Sequence, residues 1–174
     1  MFRLESSRLF LRDYRLEDWE RLHIYGRDPE FSKYEPWGPN TEQDSIDFAT
    51  RMTEQAAHSP RYKLDLAVEL KQENLLIGGC GIRRDTEESS VGNLGWAINP
   101  EFQNRGFATE AAQTLLDFGF GTFNLKVIYA LCDTRNAASY RVMEKLGMKR
   151  VGLIPGEKLV KGYMRDLYRY ELVR

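Results

Sequence analysis

Cysteine and histidine are scarce, with two of each in 174 residues. Cys80 and Cys132 have no Cys-x-x-Cys spacing and no neighbouring histidine, which excludes a disulfide framework, a dithiol redox motif and a metal site built on them. Both read as small buried apolar residues inside strand patterns. His23 lies off the apolar side of its helix and His58 in a polar stretch, so no histidine-based triad is expected, and no metal. An excess of charge of one sign is also missing. The 25 basic and 26 acidic side chains are interspersed and leave a net charge of −1, so neither a nucleic-acid stripe nor an acidic tail is apparent. No apolar run approaches the roughly 18 residues of a membrane span, and Met1 to Arg12 has no apolar signal-peptide core. The expectations are a cytoplasmic location, no membrane and no nucleic-acid partner. No repeat or low-complexity linker divides the chain, so residues 1–174 read as one domain, long enough to bury about 70% of its unfolded surface.

The periodicities give the order β-α-α-β-β-β-α-β-α-β-β. Arg8 to Asp13 alternates as a strand, Leu16 to Gly26 is helical, and Thr41 with Asp44 forms a capping-box start for a helix to about Glu54. Tyr62 to Leu70 and Leu75 to Arg83 alternate as antiparallel strands. Within the second of these, Gly78, Gly79 and Gly81 point to a bulge or a close backbone approach. Asn93 to Asn99 and Val127 to Asp133 are strands separated by a helix, which implies a right-handed parallel crossover. The fold class is therefore α/β, a mixed and mostly antiparallel sheet with one parallel β-α-β unit.

The segment Gln103, Asn104, Arg105, Gly106, Phe107, Ala108 joins the Asn93 to Asn99 strand to that crossover helix, whose buried face is Ala108, Ala111, Ala112, Leu115 and Leu116. Gly106 allows positive φ and lets a bulky anion approach the main chain. The first helical amides have no partner within the helix and lie at its electropositive end, where they would bind phosphate oxygens, and Arg105 adds charge. A Gly at a helix entry is also often only a turn, and the dinucleotide fingerprint Gly-x-Gly-x-x-Gly is missing.

The order Gln-x-x-Gly-x-Ala after Ile98, Asn99, Pro100, followed by Asn136-x-x-Ser139 and by Glu144, Lys145, Leu146, Gly147, Met148, resembles the GCN5-related N-acetyltransferase (GNAT) superfamily. The opening Glu5 to Arg12 and the closing Asp166 to Leu172 look like the branch that includes ribosomal-protein N-terminal acetyltransferases. The resemblance implies that the two parallel strands splay apart and hold the pantetheine arm of acetyl-coenzyme A against the backbone of Trp96, Ala97 and Ile98. The diphosphate would then lie on Gln103, Asn104, Arg105, Gly106, Phe107, Ala108 and Thr109. The side chain of Trp96 could equally pack in the core.

Asn136, Ser139, Met143 and Leu146 share one face of the second helix of this half. From the residues alone, Asn136 caps that helix and Ser139 bonds back to the main chain. The resemblance implies instead that Asn136 contacts the cofactor and that Ser139 reaches its sulfur. Many members carry a tyrosine acid where this chain has Met143, which leaves Ser139 as the candidate catalytic residue, with Tyr140 further round the helix.

No general base stands out. Glu35, Asp65, Glu69 and Asp166 lie near strand ends or the loop between the first helices, and each reads as a solvated surface charge. The loop aromatics Phe31, Tyr34 and Trp37 form either a satellite core or the wall of an acceptor pocket, with Tyr34, Glu35, Trp37, Tyr163 and Asp166 as its candidate residues. The implied activity is direct acetyl transfer, without a covalent enzyme intermediate, to a primary amine, foremost a peptide or protein N-terminus. The alternatives are a polyamine or aminoglycoside acceptor, or a noncatalytic acyl-coenzyme A sensor. A homodimer stays open.

Overall fold

The computed structural model describes residues 1–156 and 159–174. Strands β1 (Arg3–Glu5) and β2 (Leu9–Arg12) are followed by helices α1 (Asp18–Gly26) and α2 (Glu42–Ala56), then β3 (Lys63–Leu70), β4 (Leu75–Arg83) and β5 (Val91–Ile98). A short 3-10 turn at Pro100–Phe102 leads into α3 (Phe107–Gly121), β6 (Val127–Asp133), α4 (Ala137–Lys145), β7 (Lys149–Ile154), the small hairpin β8 (Leu159–Val160) and β9 (Tyr163–Met164), and β10 (Leu167–Val173). Eight strands form one sheet in the order β1-β2-β3-β4-β5-β6-β10-β7. Among the described residues only β5 and β6 run parallel, and the other adjacent pairs are antiparallel. The expected fold class is thus present.

Strand alternation divides the sheet into two faces. Leu64, Leu66, Val68, Ile82, Leu94 and Ile98 turn one way and pack on Ala111, Ala112, Leu115 and Leu116 of α3, all in the principal core. Each fully buried leucine contributes about 1.5–3 kcal/mol of transfer free energy. On the other face Ala67 and Leu76 meet Tyr14, Leu22, Tyr25, Ala49 and Met52, which belong to α1, α2 and their approach. The glycine cluster in β4 behaves as its pattern predicts. The β3–β4 register shifts between Val68 and Glu69, and a Cβ at Gly78 would run into the Ala97 carbonyl oxygen.

Most element limits match the sequence reading, with instructive differences. Helix α1 starts at Asp18 rather than Leu16 because the Asp18 carboxylate accepts the Arg15 amide at 2.8 Å and fixes a turn ahead of the helix. The Thr41–Asp44 capping box of α2 is formed in both directions. Glu69 is not a solvated charge. It is buried with Arg12, which donates to Glu69 at 2.7 Å and to both oxygens of Asp18 at 2.8 and 2.9 Å. That triad ties α1 to the sheet, and it is sensitive because removing one partner strands the other charges in low dielectric. No helix among the described residues is long and apolar enough to cross a membrane.

Candidate active site

The parallel pair β5–β6 is short. Its facing residues are Val91 with Val127, Gly92 with Ile128 and Asn93 with Tyr129. Both strands run on beyond that rung, to Ile98 and Asp133, without pairing each other. The sheet therefore opens into a V whose apex is closed by the Asn93 side chain, its Nδ2 donating to the Tyr129 carbonyl at 3.4 Å. Along the β5 arm, main-chain groups from Leu94 to Ile98 that would normally meet a neighbouring strand face the gap. Such groups need partners, and a ligand carrying amides of its own could supply them. Gln103 takes one, donating to the Ile98 carbonyl at 2.9 Å.

At the end of that arm stands the α3 N-terminus. Gly106 is its N-cap in the left-handed region, with φ 83°, and it supplies no capping side chain. The amides of Phe107, Ala108 and Thr109 precede the first intrahelical bond, which Glu110 donates to the Gly106 carbonyl. They are positioned to bind an anion. The Arg105 guanidinium lies over the rings of Phe102 and Phe107, at 5.5 and 5.1 Å. The Trp96 side chain is partly buried and packs against the principal core.

Helix α4 lines the other arm. Asn136 caps it, its side-chain oxygen accepting the Ser139 amide at 3.1 Å. Ser139 neighbours the Cys132 thiol. Burial pushes that thiol up to about 11 while the serine hydroxyl pulls the other way, so Cys132 stays protonated and poorly nucleophilic at neutral pH. Met143 is fully buried, and Tyr140 turns away to an edge-on contact with Tyr168 at 6.1 Å. Neither phenol nor thioether stands where Ser139 does.

On the opposite face of the V, small residues leave room. A Cβ on Gly95 would meet nothing within 4 Å, and Leu131 is exposed. The α1–α2 loop and the β8–β9 hairpin converge on the rim. Lys161 donates to the Ser32 carbonyl at 2.7 Å, the Ser32 hydroxyl at 3.0 Å and the Trp37 carbonyl at 2.7 Å. Arg165 donates to the Tyr34 carbonyl at 2.7 Å and reaches Glu35 at 3.4 Å. The buried Asp133 takes Arg135 in a fork, and that guanidinium lies over Tyr163 at 4.7 Å. Burial raises the Glu35 carboxyl, with Arg165 opposing it. Tyr34, Glu35, Trp37 and Tyr163 are thus brought together. Asp166 points to its own chain, accepting the Gly156 amide at 2.7 Å. Phe31 meets Tyr25 edge-on at 4.9 Å and Trp37 at a tilt at 5.6 Å, so the loop aromatics act as both satellite core and rim.

Sequence reasoning missed Lys161 and Arg165, which do most of the joining, and Arg8, which reaches the α3 N-terminus from the far end of the chain. No group of three or more possible metal ligands occurs among the described residues.

The model of the Acetyltransferase (GNAT) domain matches residues 8–149. The uncharacterized N-acetyltransferase YnaD of Bacillus subtilis is 36% identical over 149 residues, covering 86% of this chain and 84% of that protein. Spermidine N(1)-acetyltransferase of Escherichia coli is 35% identical over 72 residues, 41% of this chain and 39% of its own. Among solved structures, a GNAT-family acetyltransferase from Bacillus anthracis superposes with a TM-score of 0.84 at 33% identity, covering 99% and 98% of the two chains. The ribosomal-protein-S5-alanine acetyltransferase of Vibrio fischeri shares the fold, with a TM-score of 0.78 at 20% identity over 99% and 97%.

Proposed function

The chain belongs to the GNAT family of N-acetyltransferases, and from that premise we propose that its acceptor is the α-amine of a peptide or protein N-terminus. Acetyl-coenzyme A is the donor, as in the similarly folded Microcin C7 self immunity acetyltransferase MccE, whose structure is a complex with acetyl-coenzyme A. The gap and the α3 amides suit such a donor in chemistry, with Trp96, Ala97 and Ile98 offering main-chain partners and Gln103 to Thr109 offering the anion cradle. The donor supplies an activated acetyl group. The protein's own residues orient it, admit the amine from the Gly95 face and help the thiolate leave. Ser139 is the hydroxyl placed to give that thiolate a hydrogen bond. A thiol with an ordinary pKa near 8.5 needs only modest help.

The observation that carries the acceptor assignment is the state of the rim carboxylates. Glu35 and Asp133 are engaged by Arg165 and Arg135, and Asp166 accepts a backbone amide. A polyamine needs unpaired carboxylates for its second and third ammonium groups, and these three are already committed. A single α-amine makes no such demand. Near pH 7.5 about a third of it is already neutral, against about 0.1% of a lysine-like amine, a difference of roughly 3.5 kcal/mol. With Glu35, Asp133 and Asp166 already engaged, none is left free to act as a strong base, which favours the acceptor that is already partly neutral.

A cytosolic enzyme, acting alone or as a homodimer, fits this reading. The deciding experiment measures thiol release from acetyl-coenzyme A with short peptides, spermidine and an aminoglycoside, and weighs the products. Peptides acetylated only at the N-terminus support the assignment. Spermidine turned over with a higher kcat/KM than every peptide overturns it.

A further inference from the structure

We propose that Arg8 is a phosphate-binding side chain of the donor site, carried to the α3 N-terminus from the opposite end of the chain. The inference rests on the reading that the donor's diphosphate lies at that helix end. Arg8 occupies the bend between β1 and β2. Its Nε donates to Glu110 Oε2 at 2.7 Å and its Nη1 to the Arg105 carbonyl at 3.1 Å. The guanidinium lies over the Phe107 ring at 4.4 Å. Among the described residues no acceptor pairs with Nη2, and that nitrogen would stand 3.4 Å from a Cβ placed on Gly106. Two of the three guanidinium nitrogens are therefore fixed by protein, and the third borders the cradle.

Charge explains the arrangement. Glu110 lies in the first turn of α3, where a carboxylate suits the helix dipole but repels an incoming phosphate. Its Oε1 accepts the Ser6 hydroxyl at 2.8 Å and the Arg8 amide at 2.7 Å, while Oε2 takes the guanidinium. The carboxylate is thereby neutralised and serves as the post that aims Arg8. An arginine with half its side chain exposed gains little stability from one ion pair. A guanidinium already immobilised beside a phosphate loses little further freedom on binding, and it offers a charge-assisted bond.

The test measures coenzyme A affinity by calorimetry at low and high salt for the wild type, Arg8→Met, Arg8→Lys and Gly106→Val, with melting temperatures alongside. Arg8→Met is expected to weaken binding about tenfold or more and to flatten its salt dependence, leaving the KM for the amine unchanged. Arg8→Lys should recover part of the loss, because it restores the charge without the fork. Dephospho-coenzyme A separates the sources: an Arg8→Met loss that persists with it assigns the contact to the diphosphate, and one that vanishes assigns it to the 3′-phosphate. Unchanged affinity in Arg8→Met, with binding abolished in Gly106→Val, would overturn the role of Arg8 and leave the donor site standing. Unchanged affinity in both would remove the donor site from this helix end. Should Arg8→Met fail to fold, Arg8→Lys with wild-type affinity and salt dependence would equally contradict the proposal.

Discussion

Asn93 and Tyr129 form the last rung of the parallel pair, and the sheet divides immediately beyond them. Everything the protein is asked to do depends on that division. On one face α3 and α4 border a gap lined by unpaired main chain, and on the other a glycine without a packing neighbour leaves an opening.

Gly95 tests the opening. Its φ is not among the positive ones, and no neighbour crowds it, so neither conformation nor packing requires glycine in the middle of a strand, where it costs stability. Gly95→Val should leave the melting temperature unchanged or raised and coenzyme A affinity within about twofold, while kcat/KM for the amine falls by about tenfold or more. Lost cofactor affinity with intact amine kinetics would place the acceptor on the wrong face.

Ser139 tests the chemistry. Ser139→Ala keeps the Asn136 cap, which uses the Ser139 amide and not its hydroxyl. Turnover should fall by about ten- to a hundredfold with little change in coenzyme A affinity, as read by steady-state thiol release and calorimetry. Unaltered turnover would remove its part in thiolate departure.

Glu110 sets an acid limit. Burial alone would raise its carboxyl, but the bonds from the Arg8 amide, the Ser6 hydroxyl and the Arg8 guanidinium outweigh this and hold it below the ordinary value of 4.5. A depressed carboxylate stabilises the fold fully above its unfolded pKa, and this is lost as pH falls through the lower, folded value. Between pH 7 and pH 3 the melting temperature of the wild type should therefore fall more steeply than that of Glu110→Gln, the gap between them closing below about pH 4.5. Parallel curves would show that the carboxylate is not held as described.

Arg12 tests the frame. Arg12→Met leaves Asp18 and Glu69 buried without their cation and should cost about 3–5 kcal/mol in urea unfolding at neutral pH. A loss below about 1 kcal/mol would mean that the triad is hydrated, in the manner of an exposed pair.

What the sequence reveals and what it hides divide along contact range. β6 was legible to the residue because its alternation is local, and the α2 capping box because Thr41 and Asp44 are three residues apart. The Gly106 turn and the Asn136 cap are equally short-range. β1 escaped notice because three residues carry too little pattern. Glu69 was misread because its burial depends on Arg12, 57 positions away. Lys161 meets Ser32 across 129 positions and Arg8 meets Glu110 across 102, and nothing in either neighbourhood announces a partner at that distance. Family resemblance supplied the cofactor, but it did not point to Lys161 and Arg165, which join the two sides of the rim.

If the divided sheet and the α3 amides together seat the donor, a crystal structure with coenzyme A will show both in contact with it. Diphosphate oxygens are expected about 3 Å from the amides of Phe107, Ala108 and Thr109, with the pantetheine amides paired to the backbone of β5 between Trp96 and Ile98. Coenzyme A bound elsewhere, or lying across the V without touching those amides, would contradict this seating.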